Sequence, residues 1–281
     1  MKFLRWVALV AVCACVALAQ APSVNTGGVV NAASYAPSNP PGSLITIFGD
    51  GMATPGLLLK ASSVPLSLHM QGQSDDVSVT VNDKPAPIFY VTKTQSSVQL
   101  PWSVAPGSAS IVVTRNGSSS QAKPVTIATF SPGIFTINTQ GTGAAWVIHN
   151  DDYSVSQPAA GWPYPKIAVR PAKAGDILFV YATGLGPVAS PPKDGAVPCP
   201  IFPACPANYA ESASTTTKPT VVINGAPIPA PDMVFSGLTP FYAGVYQLNF
   251  RLPPGIPASN ATTLEVQIGG VTSNKVTFAT Q

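Results

Sequence analysis

The feature of this 281-residue sequence that most limits its fold is an internal duplication. Three blocks of the first half recur, in the same order, in the second half. The clearest pair, residues 99–107 and 247–255, shares the pattern Gln-Leu-x-aromatic-x-aliphatic-x-Pro-Gly. The other pairs are residues 81–87 with 223–229 and residues 41–49 with 174–182. Repeated blocks in one order indicate two copies of one structural unit.

Each copy has the pattern of short strands joined by tight turns. Residues 44–48 and 177–181 are short apolar runs with β-branched and aromatic side chains, as in buried strands. Turn dipeptides that favour β-hairpins lie at 82–83, 116–117, 224–225 and 269–270. No apolar helical period is sustained after the N-terminal segment. We predict an all-β fold of two immunoglobulin-like β-sandwich units in tandem.

The predicted units are residues 20–130 and 131–281. Residues 131–173 fall outside the matched blocks, and we expect them to add an extra strand at 144–149 to the second unit. The second unit also contains a Pro-rich stretch, residues 187–206, that includes Cys199 and Cys205. We expect these two cysteines to form a disulfide in an oxidising compartment. Closing so short a loop contributes roughly 2 kcal/mol.

The N-terminus, residues 1–19, has the form of a signal peptide. Lys2 and Arg5 precede an apolar run at 6–18, and an Ala-x-Ala sequence ends at Ala19. The run is shorter than the roughly 20 residues of a spanning helix. An uncleaved membrane anchor and lipoprotein processing at residues 12–15 are the alternatives. We predict an exported protein that is secreted, periplasmic or attached to the cell surface.

The charge of the chain excludes nucleic acid as a partner. Two of its 14 basic residues lie in the predicted signal, which leaves 14 − 2 = 12 basic against 11 acidic residues. The basic residues form no cluster after the signal. Nucleic-acid binding requires a basic surface that neutralises phosphates, so this class of function is excluded.

Candidate catalytic residues are few. We interpret the two histidines, His69 and His149, as surface or strand-end residues. The sequence lacks the Gly-x-Ser-x-Gly and His-Glu-x-x-His motifs. Its adjacent carboxylates, at 75–76 and 151–152, alternate across an extended chain. We predict no enzyme, no metal ligand and no cofactor, and keep a hydrolase site near His149 and Asp151 at the domain junction as an alternative.

Aromatic side chains suggest where a ligand would bind. Tyr153, Trp162 and Tyr164 lie in a Pro- and Gly-bounded segment, and rigid aromatic residues on loops are common in recognition sites. The alternative is that they form a plug between the two sandwiches. We interpret Trp102 and Phe250, which occupy equivalent repeat positions, as core residues.

Six ordered motifs resemble a known family. They are residues 30–35 (Val-Asn-Ala-Ala-Ser-Tyr), 41–43 (Pro-Gly-Ser), 131–136 (Ser-Pro-Gly-Ile-Phe-Thr), 141–145 (Gly-Thr-Gly-Ala-Ala), 184–187 (Gly-Leu-Gly-Pro) and 243–249 (Ala-Gly-Val-Tyr-Gln-Leu-Asn). The chain is similar to exported acidobacterial (Solibacter-type) C-terminal domains, and its units resemble IPT/TIG immunoglobulin-like domains. Residues 150–153 depart from the family's usual Asp-Gly turn. The family has no established reaction, so the resemblance implies a fold and no activity.

These observations together predict a non-catalytic extracellular or cell-envelope module. It would bind an envelope protein or polysaccharide, in adhesion or matrix interaction. A secreted hydrolase and a passive spacer are the two alternatives.

Overall fold

The computed structural model describes residues 21–72, 74–199 and 204–281. The predicted signal peptide, residues 1–19, lies outside the described residues. The described residues form four β-sheets that pair into two sandwiches, each around its own apolar core. The predicted fold class, a tandem of immunoglobulin-like β-sandwiches, is confirmed.

The first sandwich is built from two sheets. Sheet I has the strand order β1-β3-β9-β8-β4, and sheet II the order β2-β12-β10-β6-β5 with β11 and β7 attached. Its strands are β1 (Ser23–Asn31), β2 (Ser38–Asn39), β3 (Leu44–Asp50), β4 (Leu59–Lys60), β5 (His69–Gly72), β6 (Asp75–Val81), β7 (Lys84–Pro85), β8 (Ile88–Val91), β9 (Gln95–Gln99), β10 (Gly107–Arg115), β11 (Ser118–Ser119) and β12 (Lys123–Ile127).

The second sandwich repeats this plan. Sheet III has the order β13-β16-β20-β19 with β15 attached, and sheet IV the order β14-β23-β21-β17-β18 with β22 attached. Its elements are β13 (Gly133–Ile134), β14 (Gly143–Ala144), β15 (Val147–His149), β16 (Ile177–Thr183), helix α1 (Tyr209–Ala213), β17 (Thr220–Ile223), β18 (Ala226–Pro227), a 3₁₀ turn (Ala230–Asp232), β19 (Met233–Leu238), β20 (Tyr246–Arg251), β21 (Ser259–Ile268), β22 (Val271–Thr272) and β23 (Val276–Thr280).

Local sequence explains the strands and turns. Val77, Val79 and Val81 alternate with polar residues along β6, so every second side chain enters the core. The four predicted turn dipeptides each connect a strand to a short antiparallel partner. Both residues of every dipeptide have positive φ, as a tight hairpin turn requires. These hairpin predictions are confirmed.

The first strands of each unit are shared between its two sheets. β1 pairs with β3 in sheet I, whereas β2 pairs in parallel with β12 in sheet II. In the second unit β13 and β15 pair with β16, whereas β14 pairs in parallel with β23. The expected extra strand at 144–149 is thus two short strands in different sheets, because the chain switches sheets between them.

Buried hydrogen bonds join the two units. Asn31 is fully buried; its amide donates to the Ser131 carbonyl oxygen (2.8 Å) while its Oδ1 accepts from the following turn. The Thr183 hydroxyl accepts from the Leu44 backbone N–H (2.9 Å) and donates to the Gly244 carbonyl oxygen (2.8 Å). Since these groups have no access to water, separating the units would leave them unpaired.

The Pro-rich stretch of the second unit also contacts the first unit. The Gly195 N–H donates to Gln99 Oε1 (2.6 Å), and Asp194 accepts from the backbone N–H of Trp102 (2.8 Å). The disulfide predicted between Cys199 and Cys205 is present. The stretch therefore holds the two sandwiches together.

Trp102 and Phe250, both interpreted as core residues, differ in burial. Trp102 is partly buried and packs against the core of the second unit, whereas Phe250 is fully buried in that core. The two residues differ because Trp102 follows the end of β9, at the junction, whereas Phe250 lies within β20.

Candidate functional site on the second unit

The three aromatic residues predicted as one site belong to two clusters. Trp162 and Tyr164 pack against each other, with ring centroids 5.4 Å apart. Both also pack against Trp146, whose centroid lies 6.2 Å from that of Trp162 and 5.9 Å from that of Tyr164. The Trp162 indole N–H donates to the Ile167 carbonyl oxygen (3.0 Å). We call Trp146, Trp162 and Tyr164 the tryptophan triad. Its ring contacts lie within the second unit, so they do not support the interpretation of a plug between units.

Tyr153 lies instead in a row of aromatic rings on the outer face of sheet III. In spatial order the rings are Tyr153, Phe179, Tyr181, Tyr242 and Phe241, which we call the aromatic row. Successive ring centroids are 6.4, 5.5, 6.5 and 6.4 Å apart, at interplanar angles of 71°, 70°, 89° and 58°. The first three pairs have the edge-to-face arrangement that aromatic rings favour, and the last is tilted.

The ends of the row are open to solvent. Tyr153 is 70% exposed, Tyr242 48% and Phe241 44%, whereas Phe179 is buried beneath its neighbours. Single exposed apolar side chains are normal on a protein surface, whereas a contiguous set of them marks an interaction surface.

Strand β16 places the inner rings of the row. Leu178 and Val180 point into the core, so Phe179 and Tyr181 point to the opposite face. The loop between β19 and β20, residues 239–245, supplies Phe241 and Tyr242. The row therefore rests on a strand that is fixed by core packing, and loops complete both ends.

The loop that carries Tyr153 is held by charged groups. Arg170 binds Asp151 (2.8 Å) and Asp152 (2.9 Å). The Ser154 hydroxyl and backbone N–H also donate to Asp152 (2.6 and 2.9 Å), and these bonds, with Arg170, hold the pKa of the Asp152 carboxyl well below its usual range. The carboxylates of this loop are engaged in positioning Tyr153, which itself adopts a positive φ of 58°.

The histidines occupy different environments. His69 begins β5 and is exposed, as predicted. His149 ends β15, in agreement with the interpretation as a surface or strand-end residue, and it is fully buried there. Its Nε2 lies 3.1 Å from the Arg170 carbonyl oxygen and its Nδ1 3.3 Å from Asp176. The hydrolase alternative would need His149 beside Asp151, but His149 lies against Asp176 and the Arg170 carbonyl oxygen, whereas Asp151 binds the Arg170 guanidinium.

The hydroxyls of Tyr181, in the row, and of Tyr209, beside it, are neutral. Burial raises the pKa of Tyr181, and the nearby Tyr242 and Tyr153 raise it further. Burial also raises the pKa of Tyr209 to about 12, with a contribution from Tyr181. The Tyr209 hydroxyl donates to the Leu238 carbonyl oxygen (2.7 Å), at the edge of the same sheet. These hydroxyls therefore act as hydrogen-bonding groups without charge at physiological pH.

Two amide side chains lie alongside the row. Gln247 is directly opposite Tyr181 on the neighbouring strand, and Asn249 is opposite Phe179. The Gln247 amide donates to the Asn249 Oδ1 atom (2.8 Å). Amide groups both donate and accept, so the surface combines flat apolar rings with neutral polar groups.

Most members of the row were missed by sequence reasoning. Residues 177–181 were predicted as a buried strand, although Phe179 and Tyr181 alternate with core residues. Phe241 and Tyr242 lie in a segment with no counterpart in the first copy, and that difference between copies was the available signal.

Over the described ranges, helices long and apolar enough to cross a membrane are absent. The same residues contain no group of three or more His, Cys, Asp or Glu side chains that could hold a metal ion.

These features define the class: a tandem immunoglobulin-like β-sandwich protein with an aromatic surface on its second unit. Residues 31–131 match the family model of the IPT/TIG domain. The predicted likeness to IPT/TIG domains is therefore confirmed for the first unit, and for the second unit it stays a prediction. No curated protein matches the chain.

Solved structures with similar folds are distant in sequence. The mixed-linkage glucan utilization protein SGBP-B of Bacteroides ovatus, in complex with a heptasaccharide, is 10% identical; the match covers 94% of this chain and 46% of that one, with a TM-score of 0.33. The gamma-CGTase of Bacillus clarkii is 13% identical, with 90% and 24% covered and a TM-score of 0.27. Titin fragment I67–I69 is 8% identical, with 92% and 63% covered and a TM-score of 0.21.

The chain spans about half or less of the length of the first two of these proteins. At such identities and TM-scores, the likeness identifies neither a ligand nor a partner.

Proposed function

We propose that this protein is an exported, non-catalytic module that binds a neutral polysaccharide of the cell envelope or its surroundings through the aromatic row. The observation that supports the proposal is the row itself, five adjoining rings with three exposed members. We also propose that the protein belongs to the exported acidobacterial family and that residues 1–19 are its signal peptide.

The chemistry of the row favours a neutral sugar polymer. The faces of sugar rings present aliphatic C–H groups, which pack against the faces of aromatic rings. Sugar hydroxyls need donors and acceptors at the rim, which Gln247, Asn249 and the neutral tyrosine hydroxyls supply. The two carboxylates nearest Tyr153, those of Asp151 and Asp152, both bind Arg170, so they hold the loop rather than face a ligand singly.

A protein partner is the second candidate. Exposed tyrosine residues are also frequent at protein interfaces, where they bury large area at low entropic cost. The linear order of the rings along one sheet face favours an extended chain over a compact partner. A passive spacer would need no exposed aromatic row.

The test is binding of the mature protein to neutral oligosaccharides. We expect titration calorimetry with gluco-, xylo- and manno-oligosaccharides of six sugars to identify at least one ligand. Tyr153→Ala and Tyr242→Ala should each weaken its affinity by about 2- to 10-fold, since an aromatic contact contributes about 0.5–1.5 kcal/mol.

Tyr164→Ala is the matched control, because Tyr164 is an exposed tyrosine of the tryptophan triad outside the row. Its affinity should equal that of the unmodified protein. A loss confined to Tyr164→Ala would move the site to the triad. Absence of binding to the whole series would refute a polysaccharide ligand.

A further inference from the structure

A cleft lies at the junction of the two units. Its cavity of about 560 Å³ is lined from sheet I of the first unit and from residues 135–140 of the second. The Tyr35 hydroxyl donates across it to the Thr139 carbonyl oxygen (2.6 Å). The cleft therefore exists only because the two units are held together.

Aromatic rings line the first-unit side of this cleft. Tyr35 stacks on Phe48, with centroids 6.3 Å apart and planes 21° apart. Phe89 and Tyr90 both line the cleft because a β-bulge after Ile88 inserts one residue opposite β9. A bulge of this kind redirects a side chain that regular alternation would send to the other face.

The polar part of the lining is uncharged. It includes Thr46, Gln95, Ser97, Thr136 and Gln140, and the described lining contains no Asp, Glu, Lys or Arg. This is the same combination of rings, hydroxyls and amides as in the aromatic row.

The row and the cleft are contiguous. Phe135 lines the cleft, and its backbone N–H donates to the carbonyl oxygen of Tyr181, a member of the row (3.1 Å). Ile134 points into the core, so Phe135 projects on the face that carries Tyr181. Leu44, which also lines the cleft, lies beside Gly244, two residues after Tyr242.

We infer that the junction cleft is a second subsite for the ligand of the aromatic row, so that one neutral polysaccharide chain lies across both units. The inference rests on the proposed function. Phe135 joins the two subsites, and the buried hydrogen bonds of Asn31 and Thr183 keep their spacing constant. A chain that reaches both subsites gains affinity without any new type of contact, because the second binding step is intramolecular.

The experiment compares oligosaccharides of three and six sugars from the series that binds. In the unmodified protein the hexasaccharide should bind at least about 10-fold more tightly than the trisaccharide. Phe89→Leu, which removes a ring from the cleft but keeps an apolar side chain, should lower hexasaccharide affinity several-fold and reduce the gain with length. Phe89→Tyr, which keeps the ring, should restore it.

Leu58→Ala is the control on the first unit, since Leu58 is 60% exposed and does not line the cleft. Thermal unfolding of each variant establishes that it is folded. If Tyr242→Ala weakens binding but Phe89→Leu leaves the hexasaccharide affinity unchanged, the two-subsite inference is wrong and the proposed function stands. If no oligosaccharide binds, both are overturned.

Discussion

The two units share one β-sandwich architecture, but they differ in what covers the outer face of one sheet. On sheet I, Leu44, Thr46 and Ser97 are buried beside the second unit. On sheet III, the corresponding face carries the aromatic row with its exposed ends. The same face therefore lies against the other unit, with the junction cleft between them, in one copy and is open to solvent in the other.

Equivalent residues of the repeat take different roles. Gln99 is buried and bonds to Gly195 and Gly42 at the junction, whereas Gln247 lies beside Tyr181 on the outer face. The difference arises from hairpin length. Gln99 pairs with Leu44, the first residue of β3, but Gln247 pairs with the fifth residue of β16.

The longer hairpin of the second unit brings new aromatic residues. Its loop, residues 239–245, carries Phe241 and Tyr242, where the first unit has the short loop 92–94. Two further segments without counterparts supply Tyr153 and Tyr209. These three segments each place an aromatic side chain near Tyr181. The differences between the two copies are therefore concentrated at one surface.

The largest effect is expected at the junction, from Gly184→Ala. A Cβ atom at Gly184 would lie 2.0 Å from the Ser131 carbonyl oxygen, whereas Gly255 has open space around it. Both glycines have positive φ, so alanine costs about 1–2 kcal/mol at either position. Gly184→Ala should lower the free energy of unfolding by a further 1–3 kcal/mol or so, measured in urea. Equal losses in the two variants would mean that junction contacts add nothing to stability.

Much of the fold could be predicted because its signals are local. Turn dipeptides such as Asn224-Gly225 and alternating runs such as 77–81 determine hairpins and core faces from a few neighbouring residues. The junction could not be predicted in this way, since Asn31 and Ser131 are 100 residues apart in sequence. The motifs that contain these two residues resemble those of a family, but the hydrogen bond between them is visible only once the two units are packed together.

The candidate site could be predicted only in part for a related reason. Tyr153 was found from the composition of its loop. Its partner Tyr181 depends on which face of β16 enters the core, and Tyr242 depends on the length of a hairpin. Sequence composition indicates neither, because both follow from strand pairing.

A smaller effect distinguishes the first unit at acid pH. The Asp75 side chain is buried; burial alone would raise its pKa, but hydrogen bonds from Thr54 and the ion pair with Arg115 (2.6 Å) lower it. A lowered pKa contributes stability above the unfolded value of about 3.9 that is lost as pH falls through the folded pKa. Asp75→Asn should cost about 2 kcal/mol at pH 7 and less at pH 3.

Urea unfolding at the two pH values measures the Asp75 effect. Asp50→Asn is the control, because Asp50 pairs with Lys93 in an exposed contact that should contribute under about 1 kcal/mol. A cost of Asp75→Asn that is the same at both pH values would contradict the assignment.

The smallest effect at neutral pH is expected in the second unit, from Tyr209→Phe. Loss of the hydrogen bond to the Leu238 carbonyl oxygen should cost about 1 kcal/mol. Because burial raises the pKa of Tyr209 to about 12, its neutral form contributes stability that is present below pH 10 and lost as pH rises towards 12. The variant should therefore lose less stability than the unmodified protein between pH 9 and 11. Parallel curves would show that Tyr209 does not link the second unit's stability to alkaline pH, and the contrast with the acid-sensitive first unit would fail.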